Sequence, residues 1–416
     1  MAIPVPKQYI LDFEQMGMGM FVHWGLYSQL GQGEWIFDNC DMKMDEYEKL
    51  IHTFTAEDFD AEKLVLAAKN AGCRYITLTS RHHEGFSLYD TCGLNTFDAP
   101  HSPAGRDLIR EFVDACNKHS IAPFFYHTTL DWHEKSFEED FDTYLEYLRK
   151  SVEILCTNYG KIGGLWFDGN WSKPEDTDWK TDELYATIRK HQPEAMIINN
   201  TGLIARGKIG NPEIDSVTFE QGTPKPMDRD GMEKYVSAEM CHTLNNHWGI
   251  GANDIDYKSP SEIIQSLCDC RKVGANYLLN IGPEAQGKIN SYQSELLAIV
   301  GRWMNKFGEA IYSGRPCGID GIGKNYALRS TDGKYLYLFA YELGNTGSAN
   351  VNAGVRYHGA YAYNNVSDEV VSVKWMDNDE ELQFLQGHGM LAVNLTGHPY
   401  GTSYPVRVAR AEIKQK

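Results

Sequence analysis

The chain has 416 residues and a hydrophobic content of 42%, which suits one large and one small globular domain. Its formal net charge is −18 and no basic cluster stands out, so nucleic acids and anionic membranes are disfavoured as partners. The nine cysteines include no Cys-x-x-Cys pair, no apolar run reaches membrane-spanning length, and the N-terminus does not resemble a signal peptide. We therefore expect reduced thiols, no zinc site and a cytoplasmic location.

The first 310 or so residues alternate between predicted strands and helices. Strands are predicted over residues 19–24, 75–79, 122–127, 165–167, 195–199, 216–220 and 276–280, with a weaker signal at 238–242. The first helix between them is predicted to open with a capping box at Thr55–Asp58 and to end at Gly72. Seven or eight strands alternating with helices indicate a (β/α)8 barrel of the TIM type over residues 1–316.

A doubly wound parallel sheet is the alternative architecture for this alternation. Such sheets usually bind a ligand through a Gly-rich phosphate loop that follows the first strand. No such loop is recognised here, and Gly17-Met18-Gly19 precedes the first predicted strand instead of following it. The barrel is therefore favoured.

The pattern changes after Gly314-Arg315-Pro316, where short strands replace helical stripes. A turn signal at Asp332-Gly333 precedes a strand over residues 335–339. Further strands are predicted over residues 371–375, 382–385, 390–395 and 406–413. Residues 317–416 are therefore predicted to form a smaller antiparallel β-sandwich.

Polar side chains recur where the predicted strands end. They are His23, His82, His83, His127, Asp168, Asn199, Asn200, Glu220 and Asn280. A barrel brings the carboxyl ends of its strands to one face, where barrel enzymes keep their active sites. Asp168 stands out because it ends a buried strand between Trp166 and Trp171. A carboxylate in such apolar surroundings is costly unless something binds it or uses it.

Asp168 and Glu220, at the ends of separate strands, suit the cleavage of a glycosidic bond. A retaining glycosidase needs a nucleophilic carboxylate and a second carboxyl that protonates the leaving oxygen, about 5–5.5 Å apart. Apolar walls and ionised Asp168 are expected to raise the pKa of Glu220, so that it stays protonated near neutral pH. Glu239 is the alternative acid. Aromatic faces and the edges of His and Asn side chains suit a sugar ring.

Six segments of the chain resemble α-L-fucosidases of glycoside hydrolase family 29. They are Phe21–Ser28, Gly33–Trp35, Leu78–Phe86, Leu130–Trp132, Trp166–Gly169 and Leu278–Pro283. The resemblance implies a retaining, exo-acting enzyme that releases terminal α-linked L-fucose from oligosaccharides through a covalent fucosyl-enzyme, without a metal or organic cofactor. A fucosylated oligosaccharide is then the expected partner, and a homo-oligomer is compatible with the sequence.

The resemblance also assigns residues. Asp168 takes the nucleophile position, and Phe21 lies where family members pack the methyl group of the sugar. The positions that hold the sugar are His23, Glu34, Trp35, His82, His83, Tyr126 and Trp166. The acid/base is less well aligned among members, and we favour Glu220 over Glu239. An arginine that some members place after the fifth strand is missing here, and Arg206 is a candidate substitute.

Other functions stay open at this point. A metal-dependent amidohydrolase would normally carry a His-x-His motif on its first strand, where this chain has only His23. A fucose-binding protein without turnover would not need both carboxylates. A transfucosidase, or a glycosidase for another sugar, would use the same residues as the fucosidase.

Overall fold

The computed structural model of the protein describes residues 3–200, 209–230, 232–345 and 359–415. The chain divides into two compact units, Met1–Lys258 with Asn276–Ala298, and Ser259–Ala275 with Ile299–Lys416. Within the described ranges, no helix combines the length and the apolar character needed to cross a bilayer.

Eight parallel strands close into a barrel in the first unit. They are β1 Met18–Val22, β2 Tyr75–Arg81, β3 Ala122–Thr128, β4 Gly164–Asp168, β5 Met196–Asn199, β6 Ser216–Glu220, β7 Ser237–His242 and β8 Asn276–Ile281. Each strand pairs with the next in chain order, and β8 pairs with β1. The predicted barrel is therefore confirmed, and the weakly predicted strand near residue 240 is a full member of it.

Helices follow most of the strands along the chain. They are α1 Gln8–Met16, α2 Ile36–Asn39, α3 Met44–Tyr47, α4 Ala61–Ala71, α5 Leu108–His119, α6 Ser136–Glu139, α7 Phe141–Asn158, α8 Thr181–His191, α9 Pro260–Val273 and α10 Ser291–Ser313. The predicted capping box at Thr55–Asp58 is wrong, because those residues lie in irregular structure before α4. Asp60 caps α4 by accepting a hydrogen bond from the backbone N of Lys63 at 3.0 Å. Gly72 ends the helix with a φ of 94°, as predicted.

Large side chains fill the interior of the barrel at the end where α1 lies. The ring of Phe13 lies 5.3 Å from that of Tyr75 and 5.8 Å from that of Phe124. Gly19 on β1 leaves room for this packing, since a Cβ at that position would lie 2.4 Å from the Tyr75 ring. Packed rings thus fill this end of the barrel, and the carboxyl ends of the strands lie at the opposite end, where barrel enzymes bind their ligands.

Asp215, just before β6, is a fully buried carboxylate with several partners. It accepts hydrogen bonds from the Tyr9 hydroxyl at 2.9 Å and the Ile197 backbone N at 2.9 Å. Its oxygens also lie 2.5 Å from Arg189 Nη2 and 2.8 Å from Lys234 Nζ. Removing one member of a buried ion pair leaves the partner charges uncompensated.

We therefore expect Asp215→Ala to lower the free energy of unfolding by about 3 kcal/mol. Denaturation in urea with fluorescence detection would measure the change. Asp215→Asn is the matched control, because it removes the charge but keeps one of the two oxygens that accept hydrogen bonds from Tyr9 and Ile197. An Asp215→Asn variant as stable as the wild type would show that the ion pairs contribute nothing.

The second unit contains two antiparallel sheets. Their strands are β9 Gly314–Asp320, β10 Tyr326–Ser330, β11 Tyr335–Tyr341, β12 Gly359–Asn364, β13 Val370–Trp375, β14 Phe384–Gly387, β15 Met390–Leu395 and β16 Val406–Ile413. One sheet has the order β13-β16-β11-β10-β9 and the other β12-β15-β14. One core contains Leu338 and Ala409 from the first sheet and Leu391 and Val393 from the second, which confirms the predicted sandwich. The domain boundary predicted after residue 316 falls inside β9 and stays a prediction.

Candidate active site

A pocket lies at the carboxyl ends of the barrel strands, the face at which barrel enzymes bind their ligands. It is lined by Phe21, His23, Trp35, His82, His83, Tyr126, Trp166, Asp168, Trp171, Glu220 and Trp248. Because parallel strands end at one face of the barrel, residues far apart in sequence meet here. The favoured catalytic pair and all the sugar-holding residues implied by the resemblance line this pocket, with the exception of Glu34.

Asp168 is the last residue of β4 and is surrounded by donors. Its Oδ1 accepts hydrogen bonds from Trp171 Nε1 at 2.9 Å and Asn200 Nδ2 at 3.3 Å. Its Oδ2 accepts one from the Tyr126 hydroxyl at 3.2 Å and lies 3.6 Å from His83 Nε2. Burial alone would raise the pKa of Asp168, but these donors and the His83 ring outweigh it and hold the pKa below its usual range. The carboxylate is therefore ionised near neutral pH.

The turn after Asp168 depends on glycine. Gly169 has a φ of 116°, a backbone conformation that L-residues rarely adopt. A Cβ there would lie 2.5 Å from the Leu130 backbone N. The turn leads into a short helical segment, Asn170–Ser172, which brings Trp171 back over the carboxylate.

Glu220 ends β6 and is half-buried at the same pocket. Its Oε2 accepts a hydrogen bond from Asn200 Nδ2 at 2.5 Å. Since the same nitrogen lies 3.3 Å from Asp168 Oδ1, the Glu220 and Asp168 oxygens that share it are no more than 5.8 Å apart, the sum of those two distances. The two carboxyl groups therefore lie close together at the pocket. Arg206, the candidate substitute for the missing arginine, lies outside the described residues.

Three histidines supply polar edges to the pocket. Nδ1 of His23 lies 2.7 Å from Asn280 Oδ1, and Nδ1 of His83 lies 2.6 Å from Thr128 Oγ1. Burial lowers the pKa of His23 to about 3, and burial with the neighbouring His83 lowers the pKa of His82 as well. The neutral imidazoles of His23 and His82 can both donate to and accept from the hydroxyl groups of an uncharged sugar.

The strand-end histidines do not all face the pocket. His82 and His83 both do, although neighbours in a strand point apart, because β2 ends at Arg81 and they follow it. The prediction that His127 joins them is wrong, since its Nε2 lies 2.8 Å from Ser151 Oγ on α7, outside the barrel.

Phe21 forms an apolar wall with other rings. Its ring centroid lies 4.5 Å from that of His23, 5.2 Å from that of Trp166, and 5.8 Å from those of Tyr126 and Trp248. Such an arrangement offers carbon and ring faces instead of hydrogen-bond partners on one side of the pocket. A ligand with an apolar substituent at this point would fit it best.

Glu34 is buried behind this wall and does not line the pocket. Its Oε2 accepts hydrogen bonds from the backbone N of Trp248 at 3.1 Å and of Gly249 at 2.8 Å. Its predicted contact with the sugar stays a prediction. Sequence reasoning did not single out Trp248, because it lies in an irregular loop after β7, where no periodicity marks the inward direction.

Glu239, the alternative acid, lies on β7 and is 1% exposed. Its carboxylate accepts hydrogen bonds from Trp166 Nε1 at 3.0 Å and from the Tyr75 hydroxyl. It is absent from the residues that line the pocket. Burial raises the pKa of Glu239 to about 7. Glu239 therefore supports Trp166 from within the barrel.

This buried carboxyl group makes stability depend on pH. Its pKa is higher in the folded protein, about 7, than its ordinary value of 4.5, so its contribution to stability is complete below pH 4.5 and is lost as the pH rises to about 7. The side chain of Glu239→Gln stays neutral at every pH. Relative to this variant, the free energy of unfolding of the wild type should fall by about 3 kcal/mol between pH 4.5 and about pH 7. Urea denaturation at pH 5 and pH 8 would measure the difference. An equal difference at both pH values would contradict the buried protonated carboxyl.

Among the described residues, no cluster of three or more His, Cys, Asp or Glu side chains is arranged to hold a metal ion. The site instead combines an ionised carboxylate, a second carboxyl group, neutral imidazoles and an aromatic wall. Chemically, it can hold an uncharged ring, attack it from one side and exchange a proton with it from the other.

Comparison with known proteins agrees with this chemistry. The family model described as α-L-fucosidase matches residues 6–309. The α-L-fucosidase of Dictyostelium discoideum is 25% identical over 384 residues, which cover 83% of this chain and 79% of that protein. The tissue α-L-fucosidase of Bos taurus is 28% identical over 332 residues, which cover 73% and 69%.

A solved structure extends the match to nearly the whole chain. The α-L-fucosidase isoenzyme 1 from Paenibacillus thiaminolyticus superposes with a TM-score of 0.83 at 30% identity, covering 98% of this chain and 99% of that one. This match therefore covers the barrel, the sandwich and the six segments that resemble α-L-fucosidases. The chain belongs to the α-L-fucosidase family, glycoside hydrolase family 29, and is a glycoside hydrolase.

Proposed function

We propose that the protein is a retaining, exo-acting α-L-fucosidase that hydrolyses terminal α-linked L-fucose from oligosaccharides. The observation that carries this proposal is the pair of carboxyl groups at the pocket, those of Asp168 on β4 and Glu220 on β6, which both accept a hydrogen bond from Asn200. Their oxygens are at most 5.8 Å apart, close to the separation of about 5–5.5 Å in retaining glycosidases.

The reaction runs in two displacements. In the first, Asp168 attacks the anomeric carbon, the glycosidic C–O bond breaks, and Glu220 gives its proton to the leaving oxygen. In the second, Glu220 takes a proton from water, the water oxygen attacks the same carbon, and the ester bond to Asp168 breaks. A fucosidase of Bacteroides thetaiotaomicron with a similar fold, TM-score 0.82, is described as a trapped covalent intermediate with 2-fluoro-fucosyl fluoride.

The apolar wall supports a 6-deoxy sugar. L-Fucose differs from L-galactose only by a methyl group in place of the hydroxymethyl group at C5, and Phe21 offers that position a ring instead of a hydrogen-bond partner. We expect kcat/KM to be about 100-fold higher for an aryl α-L-fucoside than for the matching α-L-galactoside. Steady-state release of the phenol from both substrates would measure the ratio. Equal values would contradict the assignment of Phe21 to the methyl group.

We also propose that the enzyme acts in the cytoplasm on an uncharged oligosaccharide. Two of its free cysteines, Cys40 and Cys92, are exposed, which suits a reducing compartment. Cell fractionation with an antibody to the protein would test the location. Recovery of the enzyme outside the cytoplasmic fraction would overturn it.

The test of the function is the release of nitrophenol from an aryl α-L-fucoside by the wild-type protein, with and without a chelator. Proton NMR of the first product should show α-L-fucose before mutarotation, and the chelator should have no effect. An initial β-product would exclude retention. Binding of fucose without any turnover of aryl or oligosaccharide fucosides would favour the alternative of a fucose-binding protein.

A further inference from the structure

Asn200 lies between the two carboxyl groups and is 3% exposed. It directly follows β5, and its backbone N donates to the carbonyl oxygen of Phe167 on β4 at 2.8 Å. Its side-chain Nδ2 donates to Glu220 Oε2 at 2.5 Å and to Asp168 Oδ1 at 3.3 Å. One amide group therefore uses both of its N–H bonds on the two carboxyl groups of the site.

The orientation of this amide is fixed by Thr218. The Thr218 hydroxyl donates to Asn200 Oδ1 at 2.9 Å. Thr218 precedes Glu220 by two residues on β6, so the two side chains lie on the same face of the strand. A flipped amide would place Oδ1 against two carboxyl groups and Nδ2 against a hydroxyl group. The observed orientation therefore follows from the surrounding donors and acceptors.

We propose that Asn200 is a positioning residue for the acid/base step, holding Glu220 so that its acid proton is carried on Oε1 and faces the leaving oxygen. The proposal rests on the proposed function. An amide N–H can only donate, so the oxygen that accepts it, Oε2, presents a lone pair and not a proton. The proton of the acid form is then left on the other oxygen. The same hydrogen bond persists when Glu220 is ionised in the second step.

The experiment is a leaving-group series. kcat/KM would be measured for aryl α-L-fucosides whose phenols range from dinitrophenol to unsubstituted phenol, which needs protonation most. Asn200→Ala is expected to lose about 100-fold on the phenyl substrate and less than about 10-fold on the dinitrophenyl one. Thr218→Val removes only the hydroxyl donor. It should also lower kcat/KM more on the phenyl substrate than on the dinitrophenyl one, but by a smaller factor than Asn200→Ala.

Asn199→Ala is the matched control. Asn199 Nδ2 donates to the Tyr185 hydroxyl at 2.8 Å and to Asn170 Oδ1 at 3.1 Å, and no hydrogen bond joins it to either carboxyl group among those described. It should keep the leaving-group dependence of the wild type. Melting temperatures of all variants would show that the fold is retained.

A purely structural role predicts a uniform loss across the series, and that result would overturn the proposal. In a Glu220→Ala background, Asn200→Ala should cause no further loss on the phenyl substrate, and an additive loss would also overturn it. Absence of turnover in the wild type would overturn the proposed function and this role together. If the wild type turns over and Asn200→Ala keeps the same dependence of kcat/KM on the leaving group, the proposed function stands and the role of Asn200 alone is overturned.

Discussion

Asp168→Gly is expected to lower kcat on an aryl α-L-fucoside by roughly 10⁴-fold or more. The physical reason is that Trp171, Tyr126 and His83 keep this carboxylate ionised at the end of β4, and no other group can then form the covalent intermediate. Glycine leaves an open space on that side of the sugar. Azide can enter it, attack the anomeric carbon once and yield β-L-fucosyl azide.

Phenol release with and without azide would give the rates, and NMR would give the configuration of the azide product. Retained binding of fucose by Asp168→Gly would show that the pocket survives the substitution. Near wild-type turnover without azide would sink the assignment of Asp168 as nucleophile, because a nucleophile cannot be removed without that loss.

Glu220→Ala should have the second largest effect, about 10²- to 10⁴-fold on a phenyl fucoside that needs general acid help. A dinitrophenyl fucoside should still form the fucosyl-enzyme quickly, so that its hydrolysis becomes limiting. Azide needs no general base and should accelerate that second step. Because the carbon is then attacked twice, the product should be α-L-fucosyl azide, opposite in configuration to the product of Asp168→Gly.

Glu239→Ala separates the two candidate acids. Glu239 accepts hydrogen bonds from Tyr75 and Trp166 below the pocket, so its removal should lower the melting temperature by leaving buried donors unsatisfied. It should produce no fucosyl azide. Azide rescue of Glu239→Ala, with none for Glu220→Ala, would reverse the assignment.

The barrel could be predicted because the alternation of helices and strands, and the polar residues at strand ends, are local patterns visible in the sequence. The exact first and last residues of the elements were harder to predict. Thr55–Asp58 and Asp60 both satisfy the local rules for a helix start, and the choice of Asp60 depends on where α4 packs. Likewise β2 extends to Arg81, beyond the predicted end at Thr79, through pairing with β3.

Within the site, strand residues were predictable and loop residues were not. Tyr126 faces the pocket, so two-residue alternation alone could have placed its neighbour His127 on the outside. Trp248 carries no such signal, because its direction is set by backbone hydrogen bonds to Glu34, 214 positions away in sequence. The bridging contacts of Asn200 also needed coordinates, since they depend on how β4, β5 and β6 adjoin.

The tryptophans around the carboxylate have a practical consequence. Four of the nine tryptophans line the pocket, and Trp171 Nε1 donates directly to Asp168 at 2.9 Å. Indole emission responds to nearby charge, and ester formation removes the negative charge from this carboxylate. We therefore expect the intrinsic fluorescence of the protein to change on sugar binding and as the intermediate builds up. Unlabelled oligosaccharides can be followed in a stopped-flow instrument without a coloured leaving group.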